Sequence, residues 1–376
     1  MLYLGLMSGT SLDGVDGVVA DFGPTAPQVL GHLHQPFEPG LRRELLALNT
    51  PGPDEIHRAA LAANGMARAY ASVVDGLLRA CGLAPADIRA LGAHGQTVRH
   101  RPLAHDGTGY TVQLLNGALL AERSGIDVVC DLRSRDLAAG GQGAPLVPAF
   151  HAALFGRPGQ PGAVLNVGGI ANLTLLGADS TEVRGFDCGP GNALMDGWCE
   201  RHTGRAFDHD GHWAASGRVD AQLLERLLAE PYFALPPPKS TGRDLFHAEW
   251  LGATLAKATL SGHRPVPAAD VQATLAELTA RAATDALACH GQGAQQLLVC
   301  GGGAFNGHLM RRLSALAPGV EVLSTAARGV PPDQVEALAF AWLARRFVER
   351  LPGNLPSVTG ARSRSLDSAR ISPPNR

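Results

Sequence analysis

The chain has 376 residues, enough for two or three domains of ordinary size, and 45% hydrophobic residues supply a sizeable core without disulfides or structural metal. A net charge of −2, with 18% charged residues and no long run of one sign, excludes a broad electrostatic footprint for nucleic acid or an anionic membrane. Apolar stretches end well short of the ~20 residues that a bilayer span needs, and the start lacks the basic leader of a secreted protein, so a soluble cytoplasmic protein is expected.

In chain order, residues 2–8 form an apolar run and Gly9-Thr10-Ser11-Leu12-Asp13-Gly14 supplies turn chemistry. Val15 to Phe22 then alternates into a second strand. A third strand is predicted near 28–36, a long helix near 54–80, a strand near 88–93, a helix near 116–123, a strand near 126–130 and a helix near 144–155. Gly156 to Gly162, with two prolines, reads as a linker. A second glycine-turned hairpin follows, in which Ala163–Val167 and Ile170–Leu176 flank Gly168-Gly169. Beyond it the pattern predicts a strand near 182–187, helices near 191–202 and 218–229, and a long amphipathic helix near 269–289. A strand at 296–300, a helix near 305–316, a strand near 320–324 and a helix near 333–350 complete the series. From Pro352 the composition turns polar, and the last dozen residues are expected to be poorly ordered.

Both halves therefore read β-β-β-α-β-α-β-α, with extra helices in the second. The expected fold class is α/β: two duplicated halves with mixed sheets flanked by helices, around a central cleft. The expected domains are 1–157 and 158–350, with a tail at 351–376. The six cysteines show no C-x-x-C pair and are expected as reduced thiols.

The only lysines are Lys239 and Lys257, neither after a glycine-rich loop, and no G-x-x-x-x-G-K-[ST] occurs, which excludes a P-loop NTPase. Rossmann, nucleophile-elbow and protein-kinase signatures are also missing. Three glycine-rich elements at strand ends remain. In Gly9 to Gly14, backbone N–H groups and hydroxyls could cradle phosphate while Asp13 or Asp16 holds the water shell of Mg²⁺; an ordinary hairpin turn is the competing reading. Asn166-Val167-Gly168-Gly169-Ile170-Ala171-Asn172 occupies the matching place in the second half and carries the same two readings. Val299-Cys300-Gly301-Gly302-Gly303-Ala304-Phe305-Asn306 runs from a strand into a helix. Three consecutive glycines weaken both elements, and close approach of a ligand to backbone at a helix start is the usual reason; a tight strand-to-helix turn is the competing reading.

Asp187, in Gly185-Phe186-Asp187-Cys188-Gly189-Pro190-Gly191-Asn192, ends a strand where a general base commonly sits. It could instead cap the following helix, although Asn192 is the better-placed cap. His94-Gly95-Gln96-Thr97 presents hydrogen-bonding side chains at another strand end, where sugars are typically read; a satisfied structural histidine is the competing reading, and the Gly-Gln-Thr context favours ligand contact. Arg133, in Asp131-Leu132-Arg133-Ser134-Arg135-Asp136, could bind a carboxylate in bidentate fashion or join a local Arg–Asp network. Glu336 opens an apolar helix, either facing a ligand or complementing the helix dipole. The Asp208-His209-Asp210-Gly211-His212 cluster is read as an exposed loop rather than a metal site.

Taken together, these motifs resemble the anhydro-N-acetylmuramic acid kinases of bacterial cell-wall recycling. The resemblance is carried by Gly5 to Gly14, His94 to Thr97, Gly140 to Pro148, Asn166 to Asn172, Phe186 to Asn192, Pro238-Lys239-Ser240-Thr241-Gly242-Arg243, Cys300 to Asn306 and Gly353-Asn354-Leu355-Pro356. It implies the actin, hexokinase and heat-shock-chaperone ATPase superfamily, with ribonuclease H-like halves. It also implies ATP and Mg²⁺ as cofactors, a small amino sugar as substrate, and a homodimer that engages neither nucleic acid nor membrane. By the same resemblance Gly9, Thr10, Ser11, Leu12, Asp13, Gly14, Val15 and Asp16 form a first phosphate loop, and Asn166, Gly168, Gly169 and Asn172 belong to a second. Gly301, Gly302, Gly303 and Asn306 form the adenosine motif. Asp187 matches the catalytic base, and His94, Thr97, Arg133 and Glu336 fall where the family contacts the sugar. The chain departs from the family after Gly360, where Ala361 to Arg376 is polar instead of apolar. An ordinary sugar kinase and an actin- or chaperone-like ATPase are the alternatives.

Overall fold

The computed structural model describes residues 1–9, 11–23, 27–179, 182–242, 245–260, 264–364 and 370–372. The chain folds as two compact units, Met1–Leu154 with Gln334–Arg376 and Phe155–Asp333. The division after Leu154 falls beside the expected linker. The expectation for the last dozen residues lies largely outside the described residues.

In the first unit, β1 (Leu2–Met7), β2 (Gly14–Asp21) and β3 (Gln28–Pro36) form an antiparallel meander. β4 (Ile88–Ala93) pairs parallel with β1, whereas β5 (Gln96–Pro102) and β6 (Gly109–Leu114) form a separate hairpin. β7 (Val128–Cys130) lies parallel to β4, giving the order β7-β4-β1-β2-β3; Arg370–Ser372 adds an antiparallel edge to β7. β1 is buried on both faces through Tyr3, Leu4 and Leu6, as a central strand between packed helices must be. One face is covered by the helix Glu55–Cys81, which buries Met66, Tyr70, Val73, Val74 and Leu77 at the three- and four-residue spacing of a single helical stripe.

The other face is covered by the helix Val335–Val348, which buries Val335, Ala337, Leu338, Phe340 and Leu343. A Cβ on Gly5 of β1 would lie 1.9 Å from the Ala337 carbonyl oxygen, and one on Gly92 of β4 would lie 2.0 Å from that of Phe340. The helix backbone therefore rests directly on the two strands. The sequence reading ended the second domain at residue 350, which assigned this helix to the wrong neighbours: its contacts are with β1, β2 and β4. An apolar helix joins whichever sheet offers it the closest packing, and the glycines of β1 and β4 provide that place.

The second unit repeats the topology. β8 (Gly162–Val167), β9 (Ile170–Leu176) and β10 (Val183–Pro190) form a meander, β11 (Gln296–Cys300) is parallel to β8, and β12 (Glu321–Ser324) is parallel to β11. The order β10-β9-β8-β11-β12 and every strand direction match the first sheet. The long helix Ala268–His290 packs on β9 and β10 through residues that include Val271, Leu275, Leu278 and Leu287. The duplication expected from the strand pattern is present in the backbone. The β5–β6 hairpin and the helices Pro39–Ala47 and Ala248–Leu260 were not expected. The hairpin's first strand reads Gln-Thr-Val-Arg-His-Arg-Pro, too polar to announce a strand. Among the described residues no helix is long and apolar enough to cross a membrane.

Replacing Gly5 with alanine should destabilise the protein by about 1–3 kcal/mol, the usual cost of overpacking. Gly252→Ala, where a Cβ meets nothing within 4 Å in a helix, should be stabilising by about 0.5–1 kcal/mol. Urea midpoints of the two variants check this, and an unchanged midpoint for Gly5→Ala would contradict the packing described.

Candidate functional site

In the first unit, the turn between β1 and β2 is fastened from two sides. The Gly9 carbonyl accepts from the Leu12 N–H at 3.2 Å and from Gln96 Nε2 at 3.1 Å. Leu12 adopts φ 57° with its side chain buried, and its carbonyl accepts from Arg42 Nε at 3.0 Å. Ser11 Oγ donates to Asp13 Oδ1 at 2.8 Å, and Asp13 is exposed. Gly14 and Val15 are buried at the start of β2. Asp16 lies on β2 opposite β3, where its Oδ1 meets His34 Nδ1 at 3.0 Å and His32 Nε2 at 3.3 Å. Of the two acids considered for Mg²⁺, Asp13 is the open one. Thr10 lies outside the described residues.

Beside this turn, the ends of β1 and β4 form a buried polar junction. Ser8 Oγ donates to the Gly95 carbonyl at 3.0 Å and lies 2.9 Å from the Tyr70 hydroxyl, which itself accepts from the Gly95 N–H at 3.1 Å. His94 Nδ1 lies 3.1 Å from the Ser8 carbonyl and must donate to it, so Nε2 is the acceptor for Arg133 Nη2 at 2.9 Å. Burial, and then the Arg133 charge, push the imidazole down from its ordinary 6.5 to about 3. His94 is accordingly a neutral acceptor that aims a guanidinium. Arg133 Nη1 donates to the Gly143 carbonyl at 2.8 Å. Thr97 opens β5, where its Oγ1 accepts from Gln113 Nε2 at 3.2 Å. His100 on the same strand is pushed down to about 4 by burial and then by Arg133 and Arg101. Glu336 lies in the first turn of Val335–Val348 and belongs to this unit.

The second unit gathers the remaining candidates. Asp187 sits at a bulge of β10, where the pairing with β9 steps from Asp187↔Asn172 to Gly189↔Ala171. Its Oδ2 accepts from the Thr241 N–H at 2.9 Å, its own N–H donates to the Lys239 carbonyl at 3.1 Å, and its carbonyl accepts from the Tyr232 hydroxyl at 2.7 Å. Burial and then the Asp187 charge raise the Tyr232 hydroxyl far above its ordinary value, and the same two causes push the Cys188 thiol up to about 12. Lys239 Nζ stands 4.8 Å from the centre of the Tyr232 ring. This support from residues 232–241 was not foreseen. The Pro238 to Thr241 motif was noted, but nothing in its composition says which strand it braces.

The turn after β8 and the turn after β11 meet in the same unit. Gly301 has φ 77°, and a Cβ there would lie 2.5 Å from Asn166 Oδ1 and 2.7 Å from the Val167 carbonyl oxygen. Gly303 packs equally closely on the Val167 side chain. The Gly168 and Gly169 carbonyls accept from the N–H groups of Asn192 and Gly191 at 2.8 and 3.0 Å, joining the turn to the start of the helix Ala193–Thr203. Asn192 does not cap that helix as expected. Its Nδ2 instead donates to the Val167 carbonyl at 3.0 Å, since the adjacent turn offers an acceptor within reach. Asn306 is a true cap: its Oδ1 accepts from the Leu309 N–H at 3.0 Å at the head of Gly307–Leu316. Asn172 pairs with both Asn166 and Asp187 across the sheet. Asp208 caps His212–Ser216 through the N–H groups of Trp213 and Ala214, and Asp210 receives the Gly307 N–H at 2.7 Å. Among the described residues no three His, Cys, Asp or Glu side chains group to hold a metal ion.

A duplicated meander-plus-parallel sheet, with a glycine turn after the first strand of each copy, defines the actin-like ATPase fold. Component A of (R)-2-hydroxyglutaryl-CoA dehydratase from Acidaminococcus fermentans shares this fold with a TM-score of 0.50 at 12% identity, over 91% of this chain and 96% of that one. The sequence model of the anhydro-N-acetylmuramic acid kinases matches residues 1–371, and the chain belongs to that family. Proteins named anhydro-N-acetylmuramic acid kinase from Variovorax paradoxus and Albidiferax ferrireducens are 61% and 58% identical over 365 and 379 residues, with 96% of each chain covered. The Bordetella pertussis relative of the same name is 57% identical over 363 residues, covering 96% of this chain and 93% of its own. The chain is thus a carbohydrate phosphotransferase.

The neutral state of His94 has a measurable consequence. The unfolded chain takes up a proton there as pH falls through the ordinary 6.5, whereas the folded chain does so only at about 3. Its contribution to stability is therefore complete above the first value and is lost as pH falls towards the second. His94→Gln should lose less stability than the parent between about pH 7 and about pH 4. Urea titrations across that range measure the difference, and parallel declines would contradict a neutral His94.

Proposed function

We propose that the protein uses ATP to phosphorylate 1,6-anhydro-N-acetylmuramic acid and opens the anhydro ring in the same turnover, giving N-acetylmuramic acid 6-phosphate and ADP during cell-wall recycling. The observation that carries this reading is the Asp187 carboxylate, fixed at a strand bulge by the Thr241 N–H. Asp187 takes a proton from water; the water oxygen bonds to the anomeric carbon as its bond to O6 breaks, and O6 attacks the γ-phosphorus as ADP departs. The proton then passes from Asp187 to solvent. Arg133, oriented by neutral His94 and the Gly143 carbonyl, binds the lactyl carboxylate, with Thr97 and Glu336 contacting the sugar.

The backbone of Gly9 to Asp16, of Asn166 to Asn172 and of Gly301 to Gly303, with Asn306, receives ATP. In a chain with so few lysines, these N–H groups supply much of the stabilisation of phosphoryl charge. Mg²⁺ usually binds through one or two carboxylates together with water and phosphate, which suits a single exposed Asp13. When bound there with ATP it would neutralise phosphate charge. A homodimer and a cytoplasmic location complete the reading: the family resemblance supports the first, and dependence on ATP supports the second.

Asp187→Asn keeps the size of the side chain but cannot take the proton. Turnover should fall by ~10²–10⁴-fold, while calorimetry with a non-hydrolysable ATP analogue should show binding unchanged. Near-normal turnover would remove Asp187 from the chemistry, and lost nucleotide binding would make it a structural residue. In ¹⁸O-labelled water the new oxygen on the anomeric carbon should carry the label. An unlabelled product would rule out the coupled hydrolysis.

A further inference from the structure

We propose that Asn354 and Thr359, near the C-terminus, are positioning residues for the sugar site, acting on Arg133 through Asp136. The proposal rests on the reading of Arg133 as the carboxylate-binding residue. Asp136 is 2% exposed, and a carboxylate so far from water must be held by donors. Its Oδ1 accepts from Asn354 Nδ2 and from Thr359 Oγ1, each at 2.7 Å. Its Oδ2 accepts from the Gly143 N–H, also at 2.7 Å. Asn354 and Thr359 are themselves 2% and 1% exposed, so no water competes for these bonds.

Gly143 links this cluster to the site. Its N–H is held by Asp136 while its carbonyl accepts from Arg133 Nη1 at 2.8 Å, so the carboxylate fixes the peptide that receives the guanidinium. Two further bonds keep the segments in register: the Gln142 N–H donates to the Thr359 carbonyl and the Arg362 N–H to the Ala139 carbonyl, both at 2.9 Å. With Nη1 on Gly143 and Nη2 on His94, the guanidinium is oriented from two sides, one of which depends on the C-terminal segment. The Gly140 to Pro148 and Gly353 to Pro356 motifs, more than 200 residues apart in sequence by the Asn354–Asp136 bond, thereby become parts of one device. A misaligned guanidinium still carries its charge but loses the directional part of carboxylate binding.

The test is steady-state kinetics of Thr359→Val, Thr359→Ser and Asn354→Ala, alone and combined with Arg133→Ala. Thr359→Val removes the donor at nearly constant volume and should raise KM for the anhydro-sugar about fivefold or more, leaving KM for ATP within about twofold. Thr359→Ser, which keeps the donor, should restore the parental value, and Asn354→Ala should behave like Thr359→Val. If either Thr359→Val or Asn354→Ala does not fold, the other decides. In the Arg133→Ala background neither should raise KM further, because the residue they position is gone. A rise in KM for both substrates, a lower urea midpoint with unchanged KM, or an equal rise without Arg133 would overturn the proposal. Failure of Arg133→Ala itself to raise KM for the sugar would instead overturn the carboxylate reading, and the positioning role with it.

Discussion

Backbone lying against backbone is the constraint on which both units depend. In the first, the helix Val335–Val348 reaches β1 and β4 only because positions 5 and 92 carry no side chain, and the apolar residues around them are buried by that approach. In the second, the Gly301 peptide lies against Asn166 and Val167, bringing together the turns after β8 and β11. A side chain at any of these positions would separate elements whose packing density leaves no slack.

The polar interior is equally constrained. His94, Tyr70, Ser8 and Asp136 are all buried, and each is held by named partners. Arg133 meets the neutral His94 imidazole through Nη2 and the Gly143 carbonyl through Nη1, so the direction of its guanidinium is fixed from two sides. Asp187 is treated differently: it is partly exposed, at a bulge, with one oxygen held by a backbone N–H. Groups that orient are enclosed, and the group assigned the proton transfer is left within reach of water. His94, Thr97, Arg133 and Glu336, proposed above to contact the sugar, belong to the first unit, and Asp187 belongs to the second.

By itself the sequence determined the duplicated α/β plan. Period-two apolar runs joined by glycine turns, and a long three- and four-spaced stripe, encode strands and helices locally, so most elements from Leu2–Met7 to Val335–Val348 lie close to their predicted positions. Gly168-Gly169, Gly301 to Gly303, His94 and Asp187 were visible because glycine runs and polar residues conflict with their apolar surroundings, although Asp187 lies at a bulge within β10 and not at its end as expected. Only the tertiary structure decided which sheet receives the last long helix, that Asn192 braces a turn while Asn306 caps a helix, and that Tyr70, Thr241 and Asp136 bond to Gly95, Asp187 and Gly143. Those choices depend on distances between residues far apart in the chain. Spacing along a sequence records only what lies within a turn of helix or a strand.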